Sequence, residues 1–87
     1  MYKILAERKV EKQLRRLPKD VFEDVVSAIQ ALAENPRPRG ARKLRGVADG
    51  WRIVVRKDYR VLYTVNDRTK EVRIFKVVRR SKETYKF

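Results

Sequence analysis

The sequence predicts an α+β domain in which two N-terminal helices pack on one face of a small, mainly antiparallel β-sheet. Apolar residues recur at helical spacing in the first 36 positions and alternate with polar ones from Trp51 onward, and a basic stretch carrying glycine and proline separates the two regions. Helices followed by a run of antiparallel strands read as helices covering one sheet face. The 87 residues make one domain, 1–87, with a thin core, because a chain this short buries only about 60 to 65% of its unfolded surface.

Residues 2–6 alternate weakly through Tyr2, Ile4 and Ala6 and predict a short first strand. Val10, Leu14 and Leu17 then recur at i, i+4 and i+7, one face of a helix that Pro18 interrupts. A second helix carries Phe22, Val25, Val26, Ile29, Leu32 and Ala33 on one stripe. Two starts are open to it: Asp20 and Glu23 have the spacing of a capping box, and Pro18 suits a first helical residue. Asn35-Pro36 ends it, since a residue before proline avoids the helical region. Residues 37–50 hold Pro38, Gly40, Gly46 and Gly50 with five basic residues, and predict a mobile loop.

Trp51, Ile53 and Val55 alternate with Arg52, Val54 and Arg56. Beyond a tight Lys57-Asp58 turn, Tyr59, Val61, Tyr63 and Val65 alternate with Arg60, Leu62, Thr64 and Asn66. The pattern is a β-hairpin with an apolar face and a face offering Arg52, Arg56 and Arg60. Residues 71–80 make a further strand whose alternation falters at Lys76, where an apolar residue is due, so a bulge or strong twist is expected there. Periodicity therefore leaves open whether Arg79 or Arg80 shares the face of Arg52 and Arg60. Residues 81–87 form a polar tail, with room for one helical turn, that carries Tyr85 and Phe87.

There is no cysteine and no histidine. A disulfide framework, thiolate metal sites and Ser-His-Asp chemistry are excluded, and no carboxylate cluster suits a two-metal nuclease. No metal and no cofactor are expected. The N-terminus has no apolar run suited to a signal sequence, and no stretch approaches the roughly 20 apolar residues of a spanning helix. A soluble cytoplasmic protein without a membrane partner is the expectation. The formal net charge of +13 is unevenly spread: residues 1–36 hold 7 basic and 6 acidic side chains, 37–60 hold 9 and 2, and 61–87 hold 8 and 3. A surface charged only for solubility intersperses both signs, whereas an excess concentrated in loop and strands points to a polyanion.

Arginines, lysines and tyrosines are what remain for chemistry. Such a set can act on RNA without metal, because RNA carries its own nucleophile, the 2′-hydroxyl. The protein has to align that hydroxyl with the phosphorus and the leaving 5′-oxygen, and neutralise charge growing on the phosphate oxygens. Arginine's planar fork suits the second task, but an always-charged guanidinium is a poor proton carrier, so acid-base work falls to a tyrosine, a lysine or a partner's groups. Tyr85, among cations, would ionise more readily than in water; packing is its other role. Trp51, Tyr59 and Tyr63 sit on the apolar phase and are assigned to the core, with stacking on bases as the alternative.

Lys43-Leu44-Arg45-Gly46, Asp58-Tyr59-Arg60-Val61-Leu62-Tyr63, and Val72-Arg73-Ile74 running into Arg79-Arg80 with Tyr85 behind it together resemble the RelE toxins of toxin-antitoxin systems, within the RelE/ParE superfamily. The resemblance spans nearly the whole chain. It implies a ribosome-dependent endoribonuclease that cuts messenger RNA in the A site by 2′-hydroxyl attack, and a cognate antitoxin, RelB-like and acidic. Arg60 and Arg79 match the phosphate-contacting arginines of the active enzymes, and Tyr85 their C-terminal tyrosine. Arg52 falls where those enzymes commonly have a lysine, and completes the expected catalytic set. Val54 falls where the best-known branch has a second lysine; either Arg56 or Lys57 substitutes for it, or the protein is slower or differently specific. Ribosome and RNA docking is assigned to Arg37, Arg39, Arg42, Lys43, Arg45, Arg56, Lys57 and Arg80. The alternatives are a ParE-like inhibitor of DNA gyrase and a non-catalytic RNA-binding module.

Overall fold

Strand β1 (Lys3–Ala6) leads into helices α1 (Arg8–Arg15) and α2 (Lys19–Ala31), followed by β2 (Arg42–Lys43), β3 (Gly50–Val55), β4 (Tyr59–Asn66) and β5 (Glu71–Arg79). The structure, a computed structural model, describes residues 1–80; the turn expected within 81–87 lies outside the described residues, and so does Tyr85. The strands form one sheet in the order β1-β5-β4-β3-β2. Only β1 and β5 run parallel, and the rest of the chain supplies the long crossover that a parallel pair needs.

Both helices cover one face. Val10 of α1 and Val21, Val25 and Ile29 of α2, with Leu32 at its C-cap, pack in one cluster with Ile53, Val55, Val61, Tyr63, Val65, Val72, Ile74 and Val77 of the sheet. Leu14, Leu17, Trp51 and Tyr59 join it half-buried. The stripe of α2 differs from the expected one: Val21 faces the core and Phe22 is 37% exposed. Steps of four residues from Leu32's neighbour Ile29 pass through Val25 to Val21, and the next residue turns about 100° away. Helix α2 begins after Pro18 as N-cap, without a side-chain cap, so the capping box is not formed.

Two further features differ from the expected pattern and a third matches it. The expected mobile loop contains β2, whose Arg42 and Lys43 pair with Arg52 and Trp51, and Leu44 beside it is buried. A two-residue strand is too short to show alternation. The hairpin tip is a three-residue loop, Arg56 to Asp58, closed by the Val55 and Tyr59 pair. The bulge expected near Lys76 is present: Leu62 pairs with Lys76 and Tyr63 with Ile74, which leaves Phe75 as the extra residue. Beyond the end of β1, the N–H of Val77 donates to the Gln13 side-chain oxygen at 2.8 Å, so α1 satisfies the ladder where the edge strand has stopped.

Tyr63 is fully buried and its hydroxyl donates to the carbonyl of Pro36 at 2.6 Å. Burial pushes its phenol up to about 12, outweighing the opposite pull of Arg37, so it stays a neutral donor. Replacing Tyr63 with Phe leaves that carbonyl without its partner and is expected to cost about 1–3 kcal/mol, measured by denaturant unfolding. An unchanged midpoint and slope would show that the bond contributes nothing.

Candidate functional site

Residues directly opposed in a ladder share a sheet face, so the register defines what the uncovered face presents. One row across it reads Arg42, Arg52, Leu62, Lys76. The next reads Val54, Arg60, Val78, and on the other side lie Gly50, Thr64, Arg73. The first row spans three strand spacings, about 14 Å. Leu62 has no exposed surface although it lies outside the core cluster; half-buried Arg52 and Lys76 oppose it on either side, and aliphatic stems of such residues suit that cover. The only carboxylate on the described strands is Glu71, opposite Asn66 at the far end of this face. Arg42 and Arg52 are like charges directly opposed, an arrangement that destabilises a ladder and that a bound anion relieves.

Lys76 was missed as a site residue, although its signal was in the sequence: a lysine falling where an apolar residue was due. The bulge turns that break in phase into a cation on the arginine face. It also affects the end of β5. Arg79 is opposite Tyr59, in the helix-side phase, exposed at the last residue of the strand. The N–H of Arg80 continues the ladder to the carbonyl of Asp58, which puts Arg80 in phase with Val78 and Arg60. Arg60 itself reaches the Lys57 carbonyl at 3.4 Å. Val54 is 43% exposed beside it.

The expected docking cations divide into two groups. Arg37 is bidentate to Asp67, at 3.2 and 2.8 Å, and lies 5.5 Å from the centre of the Trp51 ring. Tyr2 donates to the same carboxylate at 2.5 Å. These bonds tie the N-terminus, the α2–β2 connection and the β4–β5 turn together, and the Arg37 guanidinium with the Tyr2 hydroxyl holds the Asp67 carboxyl down to about 2. Arg56 contacts Asp20 at 2.8 Å and Asp24 at 3.5 Å, which anchors the hairpin tip to α2 and lowers Asp20. That anchor holds Arg56 and Lys57 at φ of 53° and 66°, a left-handed conformation that costs energy without glycine. Arg39, Arg42, Lys43, Arg45, Lys57 and Arg80 are exposed and enter no ion pair among the described residues. Lys43, opposite Trp51, projects in the helix-side phase. No group of carboxylates suited to a metal, and no helix long and apolar enough to cross a membrane, occurs among the described residues.

A small helix-backed sheet of this kind is the frame of solved toxins. The family model for the ParE toxin of the type II toxin-antitoxin system parDE matches residues 4–84. The solved structure of the isolated E. coli RelE toxin superposes with a TM-score of 0.82 at 27% identity, covering 95% of this chain and 88% of that one. The archaeal RelE-RelB complex from Pyrococcus horikoshii OT3 gives 0.79 at 32% identity, covering 94% and 98%. The toxin-antitoxin complex from Mycobacterium tuberculosis gives 0.77 at 27%, covering 91% and 98%. No curated protein matches the sequence. This chain belongs to the RelE/ParE superfamily of type II toxin-antitoxin toxins.

The Asp67 clip makes a pH prediction. A carboxyl held near 2 when folded and near 4 when unfolded contributes stability that is complete above about pH 4 and lost as pH falls toward 2. Asp67→Asn is therefore expected to melt below the parent at neutral pH, with the difference shrinking to nothing by about pH 2. A difference independent of pH would contradict the ionic origin of the clip.

Proposed function

We propose that this toxin is a metal-independent endoribonuclease that cuts messenger RNA in the ribosomal A site. The observation that carries the proposal is the row Arg42, Arg52, Leu62, Lys76 with Arg60 in the next row, on a face free of carboxylate there. In the reaction the 2′-oxygen bonds to phosphorus as the P–O5′ bond breaks, the 2′-proton passes to a base and the 5′-oxygen gains a proton. The products are a 2′,3′-cyclic phosphate and a 5′-hydroxyl. Arg52 and Arg60 neutralise the phosphate oxygens as charge grows, with Arg79 reaching them from the end of β5. Exposed Val54 cannot carry a proton, so Tyr85 takes that role together with groups of the ribosome. Arg39, Arg42, Lys43, Arg45, Lys57 and Arg80 dock the substrate through its phosphates.

The partner that restrains such a surface is an acidic, RelB-like antitoxin. An intact E. coli RelBE toxin-antitoxin complex and the Pyrococcus horikoshii RelE-RelB complex are among the similar solved structures, and a net charge of +13 favours an acidic partner both in rate of encounter and in fit.

A second activity, ParE-like inhibition of DNA gyrase, has one observation in its favour: the family model that matches is that of the ParE toxin. A translating extract with primer extension on its messenger, run beside a gyrase supercoiling assay, separates the two. Cleavage within codons and unimpaired supercoiling are expected. Arg60→Ala is expected to slow single-turnover cleavage on saturated ribosomes about 10²- to 10³-fold. Arg45→Ala is expected to weaken binding and flatten its salt dependence at an unchanged maximal rate. Intact messenger with gyrase inhibited would overturn the nuclease.

Tyr85→Phe deletes only the hydroxyl. Cleavage about 10²- to 10⁴-fold slower is expected from loss of a positioned acid-base group, at unchanged melting temperature. Parental cleavage by Tyr85→Phe, with Tyr85→Ala the damaging change, would make the ring and not the hydroxyl the working part.

A further inference from the structure

The uncovered face also holds a depression of about 290 Å³ lined by Glu7, Lys9, Val47, Thr64, Arg73 and Phe75. None of these six enters the cleavage chemistry proposed above. The bulge builds its floor. Phe75 and Lys76 together oppose Leu62, and Phe75 is half-buried without packing on the core cluster. Thr64 and Arg73 face each other one pleat repeat from the row of Arg52 and Lys76, about 7 Å along the strands. Val47 makes one wall, folded over Gly50 so closely that a Cβ there would come within 2.6 Å of its Cγ1. Glu7 makes the opposite wall, with its N–H donating to the carbonyl of Ile74 at 3.2 Å. As the N-cap of α1 it makes no side-chain cap bond. Its carboxylate has a 3.8 Å contact with Lys9 and no other ion pair among the described residues.

We propose that this depression is a nucleobase subsite. It would take one unpaired base of a single-stranded RNA whose phosphate lies on the Arg52–Lys76 row, the ring stacked on Phe75 and an exocyclic amine donating to Glu7. The inference rests on RNA as the substrate assigned above. Bases of single strands expose their faces to aromatic side chains, and the stack tolerates any base. The carboxylate discriminates: it only accepts hydrogen bonds, cytosine and adenine offer an amine, and uracil offers a carbonyl oxygen in the same position. Arg73 and Lys76 flank the depression and suit the neighbouring phosphates.

The test is equilibrium binding of the full chain, at one low salt concentration, to labelled hexamers of oligo-A, oligo-C and oligo-U and to an abasic ribose-phosphate hexamer. The parent is expected to bind oligo-A and oligo-C more tightly than oligo-U, and all three more tightly than the abasic strand. Phe75→Leu, which keeps an apolar side chain beside Leu62, is expected to lose about 5- to 100-fold on the base-bearing strands and nothing on the abasic one. Phe75→Tyr should bind as the parent does, and Glu7→Gln should erase the preference over oligo-U at an unchanged melting temperature. Equal parental affinity for base-bearing and abasic strands overturns the subsite, as does a loss no larger in Phe75→Leu than in Phe75→Tyr, or no RNA binding at all. The two proposals fail separately. Base-selective binding without cleavage on ribosomes removes the nuclease and leaves the subsite, and cleavage with base-blind binding does the reverse.

Discussion

Among the described residues two short helices are the only cover this sheet has, so the strands send most of their apolar residues to one side. The central strand β4 shows the constraint most plainly: Val61, Tyr63 and Val65 are buried against the helices, and Arg60, Leu62 and Thr64 point away. With a core this thin, a one-residue slip of any strand would move its whole apolar set into water and its arginines into the core. The same alternation that secures the fold therefore concentrates cations on the far side. Fold stability and the basic face have a single cause, the phase of the strands.

The bulge in β5 is where the alternation itself breaks. The extra residue in β5 puts Phe75 and Lys76 together opposite Leu62, which restores Val77 to the core while adding a cation and an aromatic ring to the open face. Leu62 then becomes a small second apolar centre, buried from the side that carries charge. Without it, the guanidinium and ammonium stems of the central row would have nothing to lie against, and a set of long side chains would hold its geometry less well. A bulge beside a functional surface commonly re-aims side chains in this way.

Much of this was legible from residue types and spacing. The helix at Val10 and Leu14, the hairpin from Trp51 to Asn66 and the break at Lys76 all follow from period and from turn chemistry. The α2 stripe holds at Val25, Ile29 and Leu32 and differs only at its start, because Val21 and Phe22 are both apolar and which of two adjacent residues faces in depends on where the sheet lies. Strand β2 was invisible because two residues carry no period. The site was legible as a face and not as a division of labour. Nothing local to Arg37 or Arg56 announces that its carboxylate partner lies 30 residues away in Asp67, or 36 residues away in Asp20. Long-range pairing belongs to the fold.

That division of labour shows how so basic a chain holds together. The cations that form ion pairs among the described residues, Lys9, Arg37 and Arg56, lie at the perimeter or reach toward the helices. Those of the open face, Arg42, Arg52, Arg60, Arg73, Lys76 and Arg80, form none among the described residues. The exposed clips contribute little individually, but they fix the hairpin tip and the N-terminus where backbone strain or fraying would otherwise begin. The open-face set repels itself, most directly where Arg42 opposes Arg52, and that repulsion is a standing cost to the folded state. Any polyanion that binds only the folded chain offsets the cost and adds stability according to its concentration relative to its dissociation constant. The open face is thus the part of the molecule where stability and partner binding are the same quantity, and neutralising its cations by mutation should stabilise the free chain as it weakens what the chain can hold.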